Sequence, residues 1–147
     1  MAYATNEDIL VRLGPTMYVQ LTDDVGSGTA DEAKVTEARV AAEGEVNSYL
    51  ARRYAVPVDV ANHPEVAGLL RSVTVDLAEV RLRLRKPPMH ADFVRRRADA
   101  IAWLERVASG TVRLPSVAEL PVNAAEGIRG AVVGSPRVIG RGEMEDL

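Results

Sequence analysis

Residues 64–85 constrain this chain more than any other segment. Val66, Leu69, Leu70, Val73, Leu77, Val80 and Leu84 recur at steps of three and four. That spacing gathers apolar side chains on one side of a helix with 3.6 residues per turn. Such a helix would be roughly 33 Å long at ~1.5 Å per residue. A stripe of that length has to be covered by other elements.

The covering elements can be read in the same way. Val35, Ala38, Ala42, Val46, Tyr49 and Leu50 form a second stripe, with Lys34, Glu37, Glu45 and Arg52 largely off it, and predict a helix over 30–54. Val94, Ile101, Leu104 and Val107 predict a third over 90–109, closed by Gly110. The short Lys86-Pro87-Pro88 connection makes the helices over 64–85 and 90–109 antiparallel neighbours. Pro57 breaks the helix over 30–54, and Pro64 suits the first turn of the helix over 64–85.

The start of the chain is punctuated more closely. Thr5 can cap a short helix that carries Glu7 and Asp8 at its positive end and Ile9, Leu10 and Leu13 on its apolar side. Gly14-Pro15 ends it, and a second short helix or turn follows over 16–21. Residues 22–30 form a loop, after which Thr29 and Glu32 read as a capping box. Residues 111–147 carry Gly and Pro repeatedly and suggest an extended arm with one or two short strands.

The predicted fold is therefore mainly α: a small bundle of three longer helices plus short N-terminal helices over 1–110, and an extended C-terminal arm over 111–147. Val46, Leu50, Leu69, Leu70, Val73, Leu77, Ile101 and Leu104 are its expected core. With 147 residues the chain has room for one domain. Apolar residues at 47% allow it a core, and aromatics at 4% mean that this core is made of Val, Leu and Ala.

Several function classes are disfavoured. Cysteine is absent, so neither a disulfide framework nor a thiolate metal site can form. His63 and His90 lack the spacing of a zinc pair, and no Gly-x-Ser-x-Gly elbow accompanies them. Each begins a helix, where capping or exposure is the ordinary role. Gly26-Ser27-Gly28 precedes a helix N-terminus, a place that can hold an anion, but Asp23, Asp24, Asp31 and Glu32 surround it with negative charge. The same acids could ligate calcium, yet Val25 stands where an EF-hand needs an oxygen. A solvated acidic turn with a helix cap is the default. No enzyme activity, cofactor or metal is expected. The net charge of −3 argues against a surface that coats nucleic acid. No apolar run is long enough to span a bilayer, and the first residues are unlike a secretory signal.

Two features invite a partner. Arg81, Arg83, Arg85, Lys86, Arg95, Arg96 and Arg97 converge on one end of the Pro-Pro hairpin. They suit an acidic protein surface, or DNA phosphates, or else form a solvated face whose arginine stems cover apolar neighbours. Arg81, Arg85, Arg95 and Arg97 are the candidate contacts. In the arm, Ile128, Val132, Val133, Val138 and Ile139, with Arg137 and Arg141, either fold back on the bundle or dock on another chain along a strand edge or groove.

A set of short motifs, in order, carries a family resemblance. It begins with Tyr3-Ala4-Thr5-Asn6-Glu7-Asp8-Ile9 and Arg12-Leu13-Gly14, followed by Gln20-Leu21-Thr22-Asp23, a Gly-bearing acidic loop and Asp31-Glu32-Ala33. Next comes Glu45-Val46-Asn47-Ser48-Tyr49-Leu50-Ala51-Arg52-Arg53-Tyr54 with Val56-Pro57, in which Ser48 to Tyr54 plus the Pro is the most specific part. Asp76-Leu77-Ala78, Arg81-Leu82-Arg83-Leu84, Ala102-Trp103-Leu104 with Gly110, and Arg137-Val138-Ile139-Gly140-Arg141 complete it. Together they resemble the small head–tail connector proteins of Mu-like prophages. The chain departs from that pattern in an acidic loop with fewer Asp and in a more acidic ending, Gly142 to Leu147.

The resemblance implies a non-enzymatic adaptor of the virion neck, made in the bacterial host cytoplasm. It implies a ring homo-oligomer under the portal protein, commonly about twelve-fold, a dodecamer of closed cyclic symmetry. The ring would meet the stopper or tail-completion protein below and pass DNA through its channel without reading sequence. No membrane is implied. The competing reading is a helical DNA-binding regulatory protein, which would need a recognition helix and a net basic face.

Overall fold

Thr5 opens the first helix with a reciprocal cap. Its hydroxyl accepts from the Asp8 amide at 3.2 Å, and the Asp8 carboxylate accepts from the Thr5 amide at 2.7 Å. Four backbone amides at a helix start have no partner within the helix, and this pair satisfies two of them. In the computed structural model, which describes residues 2–121, five helices follow. They are α1 (Asn6–Leu13), α2 (Pro15–Thr22), α3 (Glu32–Leu50), α4 (Pro64–Arg83) and α5 (Ala91–Ser109). No strand occurs among the described residues. Residues 122–147 lie outside them, and with them all of the arm positions Ile128, Val132, Val133, Arg137, Val138, Ile139 and Arg141.

Helices α3, α4 and α5 pack on one another, and α1 and α2 lie against α3 and α4. The mainly α bundle expected from the sequence is the observed fold. The core runs through Val35, Ala42, Val46 and Leu50 of α3, Val66, Leu70 and Leu77 of α4, and Leu104 and Val107 of α5. Gly110 stops α5 in the left-handed region at φ 84°, a conformation that suits glycine because a Cβ crowds the backbone there.

Four expectations need correction. α3 is not capped by Thr29. Asp31 is its N-cap and accepts from the Ala33 amide at 3.1 Å, while the Glu32 carboxylate is taken by the Tyr18 hydroxyl at 2.9 and 3.0 Å. α3 also ends at Leu50 rather than at 54, and residues 51–54 turn out of it. Leu69 was placed in the core but is 43% exposed, and Leu84 and Val94, on the same expected stripes, are 58% and 53% exposed. The first half of α4 buries only a narrow side, at Val66 and Leu70, and Leu69 falls beside it. The second half, from Thr74 to Leu82, is enclosed nearly all round, so Thr74 and Glu79 are buried there although both are polar.

The fourth correction concerns the exit from α5. Residues 111–121 do not leave the bundle at Gly110. Leu114 is buried, its amide donates to the Tyr54 hydroxyl at 3.0 Å, and the Leu120 amide donates to the Arg53 carbonyl at 2.6 Å. The N-terminus is pinned in a similar way. The Tyr3 hydroxyl donates to Asn47 Oδ1 at 2.6 Å and accepts from the Val58 amide at 2.8 Å. Burial raises the Tyr3 pKa above that of an ordinary phenol.

Candidate interaction surface at the basic hairpin end

α4 ends and α5 begins around Pro87 and Pro88, and their terminal cations meet side chains of α3 and backbone carbonyls of α2. Three carboxylates organise them. Glu79, buried on α4, receives Arg83 at 2.9 Å and Arg96 at 3.0 Å, with Arg12 of α1 at 3.6 Å. Glu45 of α3 receives Arg81 at 2.9 Å and Arg97 at 2.7 Å. Asp24 receives Lys34 at 2.6 Å and also Arg85. Arg83 lies over the Phe93 ring at 3.8 Å, which fixes its plane between an anion and an aromatic face.

A second job of these cations is a helix cap. The last carbonyls of α2 have no helical donor, and cations favour that negative end. The Arg85 Nε donates to the Leu21 carbonyl at 3.2 Å, and Lys34 Nζ to the Thr22 carbonyl at 3.3 Å. Lys86 Nζ donates to the Gln20 carbonyl and, at 3.4 Å, to that of Asp23. Nothing in the sequence marks the carbonyls that Arg85 and Lys86 cap, because α2 lies more than sixty positions away from them.

Of the candidate contacts, Arg81, Arg85 and Arg97 therefore already hold partners inside the chain. Arg95 is exposed and makes no ion pair among the described residues. Lys34 and Arg85 share Asp24, with Asp31 also 3.3 Å from Lys34, and Arg81 and Arg97 share Glu45, so each of these cations has a carboxylate partner along this edge. The Asp24 carboxyl is held down at about 2 by hydrogen bonds from Lys34 and Arg85. Asp23 is also lowered, chiefly by the amides of Gly28 and Ser27, and Asp31 by Lys34.

Between α3 and the end of α4, the same edge forms a groove of about 260 Å³. Ala38, Ala41 and Leu84 give it an apolar floor, and Lys34, Arg81 and Arg85 stand on its rim with Glu37. Sequence periodicity puts Leu84 on the apolar stripe of α4, which gives no sign of a groove there. A second cleft, of about 290 Å³, lies past the Pro-Pro turn among Met17, Leu21, Met89 and Phe93.

The other candidates from the sequence stand apart. His63 caps α4 without a side-chain bond, and His90 caps α5, its Nδ1 accepting from the Asp92 amide at 3.2 Å. They lie at opposite ends of the α4–α5 hairpin. Both Asp23 oxygens accept from loop amides, at 3.0 Å from Ser27 and 2.8 Å from Gly28. Among the described residues no group of three or more acids and histidines is placed to hold a metal ion. No helix there is long and apolar enough to cross a membrane.

Comparison with known proteins adds one finding. The family model described as Bacteriophage Mu, Gp36 matches residues 3–132. No curated protein matches the chain.

Proposed function

The chain belongs to the bacteriophage Mu Gp36 family, and on that premise we propose that it is a head–tail connector of a Mu-like phage. Its subunits form a ring below the portal, commonly about twelve-fold, and extend the DNA channel toward the stopper and tail. It works as a part of the neck and not as an enzyme. The observation that carries this reading is the family match across residues 3–132, which takes in all five helices.

The geometry is in keeping with such a role. A scaffold that must hold a fixed shape under a pressurised head needs its surface helices tied to one another, and Glu45, Glu79 and Asp24 tie α1, α2, α3, α4 and α5 together. Sequence-specific DNA reading gains little from this arrangement. Cations held by carboxylates and carbonyls are poorly placed to release counterions from phosphates. DNA is expected to pass through the ring without base contacts.

Deletion of the gene from an inducible prophage tests the proposal. Lysates should then contain DNA-filled heads and complete tails that remain unjoined, and purified chain should join them in vitro. Normal infectious particles from the deleted prophage would refute it.

A further inference from the structure

Residues 111–121 follow α5 with no helix or strand of their own, yet they are docked on the bundle. Only Leu114 among them is buried, with Val112 and Val117 packed partly against the core. That is a small apolar anchor for a segment of this length, because every ordered residue gives up conformational entropy. Ser116 also takes φ 56°, in the left-handed region that a Cβ disfavours, so the docked form carries backbone strain.

Polar bonds make up the difference, and most of them end on two adjacent residues. The Tyr54 hydroxyl accepts from the Leu114 amide at 3.0 Å, and the Arg53 carbonyl accepts from the Leu120 amide at 2.6 Å. The Arg53 guanidinium faces Glu119 at 3.3 Å, which Arg113 also approaches at 3.4 Å. The helices are held differently. α4 is enclosed from Thr74 to Leu82, and the end of α5 buries Leu104, Val107 and Ala108. Gly110 separates the densely packed part of the chain from the sparsely packed part. Regions with few buried apolar contacts open on their own, before the core does.

We infer that residues 111–121 are a releasable strap, which unfastens from Arg53 and Tyr54 as a unit while the five helices stay folded. Docked, the strap seals the Tyr54 hydroxyl and fixes Leu120 beside the exit of α3. Released at Gly110, it moves the origin of the chain beyond Pro121 by up to about 40 Å, at ~3.3–3.6 Å per extended residue. The same five-helix body then offers two reaches, a short one with the strap docked and a long one with it free. This inference is independent of the connector reading.

Native-state hydrogen exchange on the full chain tests it. The Leu114 and Leu120 amides should exchange through an opening that exposes little surface and so depends weakly on denaturant. The slowest amides of α4 should exchange only with global unfolding. Two variants separate the units. Val80→Ala trims a buried side chain of α4 that stays buried whether the strap is docked or free. It should speed exchange in α4 and leave Leu114 and Leu120 unchanged. Tyr54→Phe keeps the ring and removes the acceptor of the Leu114 amide, so exchange at Leu114 and Leu120 should rise by about tenfold. If Val80→Ala speeds Leu114 and Leu120 as much as α4, these residues belong to the core unit and the strap is overturned. Unprotected exchange at both amides in the parent would show a segment that never docks, which overturns it equally. No change at Leu114 in Tyr54→Phe would remove Tyr54 as its fastening.

Discussion

The guanidinium of Arg53 lies directly against Gly110, so that a Cβ added to that glycine would sit 2.3 Å from Arg53 Cζ. Arg53 Nε donates to the Ala108 carbonyl at 3.2 Å and its terminal nitrogen to that of Ser109 at 2.9 Å, while Glu119 faces it at 3.3 Å. One side chain at the exit of α3 thus caps the end of α5 and holds the segment beyond it. Tyr54, the next residue, continues the clasp through Leu114. The most specific stretch of the family pattern, ending in Arg52-Arg53-Tyr54, is in this structure a fastening.

Gly110→Ala should therefore cost more than its backbone alone. A left-handed residue with a Cβ costs about 1–2 kcal/mol, and displaced Arg53 would also lose its carbonyls. Thermal unfolding of Gly110→Ala, Arg53→Ala and the double variant forms a mutant cycle. The double variant should lose clearly less than the sum of the singles. Additive losses would mean that the close approach has no energetic weight.

Leu69 and Leu70 are neighbours with opposite fates. Leu70→Ala should cost about 2–5 kcal/mol, as for a large-to-small change in a core. Leu69→Ala should stay within about 0.5 kcal/mol, as for a surface change. Denaturant melts of the two variants check this, and equal losses would contradict the observed packing of α4. At Leu77, which is 1% exposed, Leu77→Asp should abolish cooperative unfolding because a buried unpaired charge costs several kcal/mol, of order 3–5.

The bundle is largely legible in the sequence because long stripes dictate it. Val46, Leu50, Leu70, Leu77 and Leu104 lie in the core, as a step of three and four requires. The errors at Leu69, Leu84 and Val94 have one cause. Periodicity says which side of a helix is apolar, but not how wide an arc its neighbours cover. The burial of Tyr3, Tyr54 and Leu114 has no local signal, since it goes with tyrosine hydroxyl bonds to Asn47, Val58 and Leu114 across forty to sixty positions. The basic cluster was visible as a cluster, while its use as a cap for α2 was not, since no local signal links Lys86 to the carbonyl of Gln20.

Glu79 should tolerate the loss of one arginine better than its own removal. Arg96→Ala breaks a partly exposed pair and should cost at most about 1 kcal/mol. Glu79→Ala strips Arg83 and Arg96 of their shared acceptor and should cost about 1.5–3 kcal/mol, the range for bonds to a charged group. Chemical denaturation separates the two. The opposite order of losses would assign the stability of this cluster elsewhere.

The Asp24 link gives a pH signature. Its folded pKa, about 2, lies below the ordinary value of 3.8. Its contribution is thus fully present above about pH 4 and is lost as pH falls toward 2. The difference in Tm between the parent and Asp24→Asn should be largest near neutral pH and close as pH drops through that window. A difference that stays constant from pH 5 to pH 2 would show that the carboxylate has no stabilising partner in solution.

The central claim places this chain between head and tail, and imaging the neck of the native particle tests it most directly. A closed ring of five-helix subunits directly beneath the portal is expected, with the DNA channel running through its centre. A neck whose ring is built by another protein, with this chain elsewhere in the particle or missing from it, would contradict the account.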